Sequence, residues 1–133
     1  MSQREAYRLI GRSDGRTILD RLLVADRFWS RFVGLQFRRP LPIDSGLLIV
    51  PCPAIHTFFV RFALDLIWVD RKGTVTEIRR NVAPSRLASG PSGTFAVVET
   101  ACGATTVEVG ESLVVEPMGP SRELPRSLTF MRR

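Results

Sequence analysis

Residues 64–69 read Leu-Asp-Leu-Ile-Trp-Val, apolar but for one aspartate, and run directly into Asp70-Arg71-Lys72-Gly73. A polar four-residue segment ending on glycine is turn chemistry. Residues 74–82 then supply a second run of strand-forming residues. The chain is therefore expected to form an antiparallel hairpin here, and that hairpin needs a sheet to bury it.

Punctuation of the same kind recurs along the chain. Nine prolines and ten glycines are spread over 133 residues, which favours short elements joined by turns over a helical bundle. A chain of this length forms one domain and buries roughly two thirds of its unfolded surface. Residues 7–10 and 17–24 flank Ser13-Asp14-Gly15, an Asp-Gly hairpin signal. Residues 46–50, 94–100 and 113–116 are further expected strands. Residues 55–62 alternate, placing Ile55, Thr57, Phe59 and Arg61 on one face and His56, Phe58, Val60 and Phe62 on the other.

Helical periodicity appears once. Phe28, Trp29, Phe32, Val33 and Gln36 follow a candidate N-cap at Asp26, so residues 27–37 read as one short helix with an aromatic face. Residues 83–93, rich in Pro, Gly and Ser, read as a long surface loop. Residues 104–109, between two glycines, read as a turn or a single helical turn. The expected fold is mainly β, a compact antiparallel barrel or sandwich with that one helix. Residues 1–14 form an N-terminal arm and first strand, 15–117 the β-rich domain, and 118–133 a basic tail. The tail is expected outside the core, with its 128–131 end available to dock on the body or on a partner.

Charge narrows the partners. The formal net charge is +6, carried almost wholly by arginine. The arginines are scattered, without the aromatic-interleaved basic patch of RNA-binding modules, so no specific nucleic acid is expected. No segment approaches the roughly 20 apolar residues of a membrane span, and residues 1–12 carry no apolar signal core. The expected location is the cytoplasm, with Cys52 and Cys102 as reduced thiols.

The candidate site residues are His56, Thr57, Arg61, Asp65 and Glu99. Arg61, flanked by aromatic residues, cannot be buried without a partner, and Asp65 or Glu99 is the natural carboxylate. One outcome is an anion or small-molecule pocket with Arg61 as its charge and His56 and Thr57 as orienting groups. The other is a structural ion pair that fixes strand register. Cys52, His56, Glu99 and Cys102 lack the repeated ligand pairs of zinc sites, so no metal or cofactor is expected. Cys52 and His56, four residues apart with Pro53 between them, make a poor nucleophile–base pair, and Cys52 reads as a small buried residue. No phosphate-binding loop, dinucleotide fingerprint or serine elbow is present.

Several motifs occur in a fixed order: Arg31-Phe-Val-Gly-Leu-Gln-Phe-Arg38, Gly46-Leu-Leu, the block at residues 55–66, Val97-Val98-Glu99 and Val109-Gly110-Glu111. Over residues 15–117 the chain resembles the domain-of-unknown-function 192 family of small bacterial and archaeal proteins. Gln36, Val60 and Ala63 stand where that family usually has methionine, methionine and proline. The resemblance implies a mostly antiparallel β-barrel or sandwich with a short helix, and it supplies no activity. The expected function is a small non-enzymatic β-module that binds a small anionic ligand or a protein segment near Arg61 and His56, as a monomer or weak homodimer. The alternative is a hydrolase- or transferase-like enzyme using His56 with Asp65 or Glu99.

Overall fold

In a computed structural model, the structure describes residues 6–25, 41–52, 54–56, 62–84, 87–119 and 123–133. Nine strands form among them: β1 (Ala6–Gly11), β2 (Thr17–Ala25), β3 (Ser45–Ile49), β4 (Ala54–His56), β5 (Leu64–Asp70), β6 (Val75–Val82), β7 (Leu87–Ser89), β8 (Thr94–Ala101) and β9 (Leu113–Pro117). Seven of them build one sheet in the order β6-β5-β8-β3-β2-β1-β9, and β4 pairs with β7 in a small second sheet. Every pairing is antiparallel except that of β2 with β3.

The two edges of the large sheet meet at one corner. The Val75 amide donates to the Glu111 carbonyl (2.8 Å), Gly110 to Val75 (2.8 Å) and Leu113 to Gly73 (2.9 Å). These bonds curl the sheet into a barrel-like form without closing it along its length. The expected mainly β fold is the one observed.

The hairpins arise where the turn residues require them. Gly15 and Gly73 adopt φ of 70° and 78°, a region that costs glycine no Cβ clash. At Gly73 the requirement is double, because a Cβ would lie 2.8 Å from the Leu113 carbonyl oxygen. Asp70 completes that turn by accepting the amides of Lys72 and Thr74 on Oδ1.

The sheet buries both of its faces. The inner core contains Leu9, Leu22, Leu48, Ile67, Val98, Val115 and their neighbours. The outer core contains Ala25, Leu47, Ile49, Leu64, Leu66, Trp68 and Val97, joined by Cys52 and by Ala88 of β7. Ala88 places the small sheet against this outer face. Strands β3, β5 and β8, central in the order, are consequently buried on both sides, which explains their near-continuous apolar runs.

Three expectations change. Residues 83–93 are not wholly loop, since Leu87–Ser89 is β7. Residues 104–108 adopt no regular structure. The C-terminal segment does not lie outside the core: a 3-10 helix, Arg126–Met131, buries Leu128 and Met131 completely in the inner core. Phe130 meets Phe95 edge-on at 4.9 Å, and the Arg71 guanidinium sits 4.3 Å from the centre of the Phe95 ring. Aliphatic burial of this completeness predicts that Leu128→Ala costs about 2–4 kcal/mol in denaturant unfolding. A loss under about 1 kcal/mol would show that the helix does not seal the core. The expected helix at residues 27–37 lies outside the described residues.

Candidate functional site

Strand register decides which candidate side chains meet. Glu99 of β8 stands opposite Leu66 of β5 and opposite Leu47 of β3. Both leucines belong to the outer core, so Glu99 shares their face. Across the sheet that row reads Leu23, Leu47, Glu99, Leu66, Arg79. The adjacent row reads Ala25, Ile49, Val97, Trp68, Glu77. A carboxyl group thus occupies the middle of an aliphatic stripe, with Trp68 as its diagonal neighbour. Diagonal positions on one face lie about 7–8 Å apart, within reach of long side chains.

Glu99 is 3% exposed and Trp68 is 0% exposed. Buried polar atoms are nearly always hydrogen-bonded. Among the described residues three buried side-chain polar atoms lack a partner, and two of them, Glu99 Oε1 and Trp68 Nε1, lie on this one face. Burial pushes the Glu99 carboxyl up to about 8, because an ion there would lose its hydration with no compensating charge among the described residues. At neutral pH it is therefore mainly the neutral acid, a donor as well as an acceptor. The indole N–H is a donor only.

Asp65 has a different environment. By strand alternation it points to the face opposite Leu64 and Leu66, and so away from Glu99. Its Oδ1 accepts the Asn81 amide at 2.8 Å, and its Oδ2 accepts the Gly103 amide at 2.9 Å and Arg80 Nη1 at 2.8 Å. Burial raises its pKa, but these three donors outweigh burial and hold the carboxyl below the ordinary range. Asn81 carries φ of 56°, a left-handed conformation that this bond helps to hold.

Of the expected site residues, Asp65 and Glu99 are therefore not brought together. Asp65 and Glu99 occupy opposite faces. Among the described residues the ion-pair partner of Asp65 is Arg80, where the sequence suggested Arg61. His56 lies on β4, opposite Leu87 of β7, and the neighbouring Ala88 packs on the outer face that holds Glu99. Thr57 and Arg61 fall outside the described residues. Trp68 was not among the candidates, although a tryptophan one β-repeat along from Leu66, in a strand otherwise made of aliphatics, marks the same face. The Cys102 thiol is exposed and donates to Asn81 Oδ1 at 3.5 Å. Partial burial and the nearby Asp65 charge raise its pKa, the opposite of what an activated thiolate needs.

Comparison with known proteins agrees with this architecture. The UPF0127 protein PF1050 of Pyrococcus furiosus is 30% identical over 115 residues, covering 74% of this chain and 90% of that protein. A UPF0127 protein of Thermococcus sibiricus is 27% identical over 113 residues, covering 79% and 72%. Among solved structures, one described as a "putative transcription regulator" from Sinorhizobium meliloti 1021 superposes with a TM-score of 0.73 at 25% identity, covering 86% of this chain and 96% of that one. A protein of unknown function from Novosphingobium aromaticivorans superposes with a TM-score of 0.69 at 20% identity over 81% and 82%, a likeness of fold. The family model DUF192, described as "Uncharacterized ACR", matches residues 10–115. With that match spanning most of the curled sheet, the chain belongs to the DUF192 family.

Proposed function

We propose that the protein is a small non-enzymatic β-module that binds a small ligand on the outer face of its sheet, at Glu99 and Trp68. The observation that supports this reading is a pair of buried polar atoms, Glu99 Oε1 and Trp68 Nε1, that lack a partner among the described residues and lie on adjacent rows of one apolar face. A structural role alone would leave both groups desolvated without return, at roughly 1–3 kcal/mol each. A ligand that bonds both removes that cost. His56 stays a candidate by the position of its strand, on the small sheet against the same face, while Asp65 drops out because its oxygens are already engaged. A screened, 3% exposed carboxyl favours a small ligand over a protein segment. No helix among the described residues is long and apolar enough to cross a membrane. We place the module in the cytoplasm as a monomer or weak homodimer.

The test is a thermal-shift screen at pH 6.5 against small anions, nucleotides and sugars. Wild type runs beside Glu99→Leu, which fills the stripe with an apolar side chain. Ligand at a hundred times its Kd stabilises by about 2.7 kcal/mol, enough to move the melting temperature by several degrees. The expected result is a shift in wild type that Glu99→Leu lacks. Equal shifts in both proteins, or none in either, would remove the outer face from the function.

One observation favours a second reading. A glutamic acid with a pKa of about 8 is suited to general acid work near neutral pH. Paired with His56 it would serve a hydrolase- or transferase-like enzyme. Turnover of a ligand found in the screen, abolished by Glu99→Gln, would select the enzyme.

A further inference from the structure

We infer that the group recognised on the outer face is a carboxylate of a small organic acid, whose two oxygens accept from the Glu99 hydroxyl and the Trp68 indole N–H. This rests on the ligand site proposed above and names its chemical class. The geometry offers two donors on diagonal positions of one face and, among the described residues, no acceptor opposite either unpaired atom. A carboxylate presents one acceptor oxygen to each. An amide has a single carbonyl oxygen, uncharged, that the two donors would have to share. A cation would bond Glu99 but leave the indole N–H without an acceptor. A phosphate brings more charge into a face whose core is aliphatic, where an unpaired ion is costly.

Paired carboxyl groups are stable when they share a single proton, because two adjacent carboxylate charges cannot both persist. Here Glu99 brings that proton, and the complex carries one negative charge over two carboxyls. The surroundings set its pH dependence. Glu99 faces Leu66 on β5 and Leu47 on β3. Among the described residues, the charged groups on the same face are peripheral. Arg79 and Glu77 of β6 pair with each other at 3.0 Å, Arg21 of β2 is exposed, and Asp70 accepts amides of its own turn. His56 stands on the small sheet against this face. Burial raises the Glu99 carboxyl to about 8. Binding is thus strongest at and below neutrality and falls about tenfold per pH unit once Glu99 ionises.

The test uses the full chain, nitrogen-15 labelled, with the tryptophan indole N–H resonances as the readout. The chain has two tryptophans, and Trp68→Phe identifies the relevant signal. Propionate and isobutyrate are the probes, with propionamide as control, at pH 6, 7, 8 and 9. The expected result is a saturable shift of the Trp68 signal with either carboxylate, an affinity about fivefold lower at pH 9 than at pH 8, and little response to propionamide. Glu99→Gln, whose amide donates at every pH, is expected to bind with no such pH dependence. Carboxylates that leave the indole unmoved while another ligand class acts through Glu99 would overturn this inference and leave the binding-module reading standing. Carboxylate binding that is unchanged in Glu99→Leu would overturn both. Equal affinity for propionamide would overturn the carboxylate assignment.

Discussion

Glu99→Gln is expected to stabilise the protein at pH 9 and to leave it nearly unchanged at pH 4. The sign follows from linkage. The carboxyl titrates at about 8 in the folded chain against 4.5 as its ordinary value. Below the lower value both folded and unfolded chains hold the proton, and the group contributes no pH dependence. Between the two values the unfolded chain has released the proton and the folded chain has kept it, so wild-type stability falls as pH rises. Above the upper value both forms are ionised and the full penalty is present. At 1.36 kcal/mol per pKa unit that penalty is on the order of 5 kcal/mol. Glutamine has nearly the same shape and no ionisation, so it escapes the loss while keeping one buried polar group. Urea unfolding of both proteins at pH 4, 6, 8 and 9 reads the difference directly. A gap that widens through this range by several kcal/mol is the expected result. Parallel curves would mean that Glu99 meets water or a cation in solution, and the case for an unpartnered carboxyl would collapse.

That expectation bears on function as well as stability. A glutamate held at such cost, in a row where its neighbours are Leu47 and Leu66 and only the edge position holds Arg79, is a poor choice for packing. A leucine there would serve the core better. The polar atom on Trp68 repeats the pattern one row away, and local rules broken twice at one place are a mark of a functional site.

The sequence carried some of this and hid the rest for definite reasons. The β5–β6 hairpin was legible because Asp70 and Gly73 specify a turn locally. Glu99 was legible as a charge within an apolar run. Its separation from Asp65 was not, because that depends on the register of β5 against β8, whose paired residues lie some thirty positions apart. A slip of one residue would have put the two carboxyls on the same face. Arg80 escaped notice for a related reason. It sits in an arginine pair that reads as exposed surface, and a register irregularity between β5 and β6 near Leu64 and Leu66 accompanies its approach to Asp65. The β7 strand is three residues set among Pro, Gly and Ser, too short for alternation to show. The C-terminal segment looked like a basic tail because four arginines, two prolines and a glycine punctuate residues 118–133. Leu128 and Met131, three apart, fall on one side of a 3-10 turn, and that spacing was the available signal.

The second large effect is expected at Asp65. Asp65→Ala should destabilise the protein at neutral pH by about 3–5 kcal/mol, the range found when one partner of a buried polar network is removed. The carboxylate is 1% exposed and satisfies two backbone amides as well as Arg80. Removing it leaves the Asn81 and Gly103 amides without acceptors, and it frees Asn81 from the bond that holds its left-handed backbone. Arg80 suffers less, since its side chain is 42% exposed and can turn to water. Arg80→Ala is accordingly expected to cost less than about 1 kcal/mol, as half-exposed ion pairs do. Acid should reveal the same group. Its folded pKa lies below the ordinary value, so its contribution is complete at neutral pH and is lost as pH falls through the folded value. Unfolding of wild type, Asp65→Ala and Arg80→Ala at pH 7 and pH 3 separates the contributions. A large loss in Asp65→Ala that shrinks in acid, beside a small loss in Arg80→Ala, would establish the backbone amides as what the carboxylate serves. Equal losses in the two variants would instead make the ion pair the dominant contact, and Asp65 would become a charge partner rather than the pin that joins the end of β6 to the turn after β8.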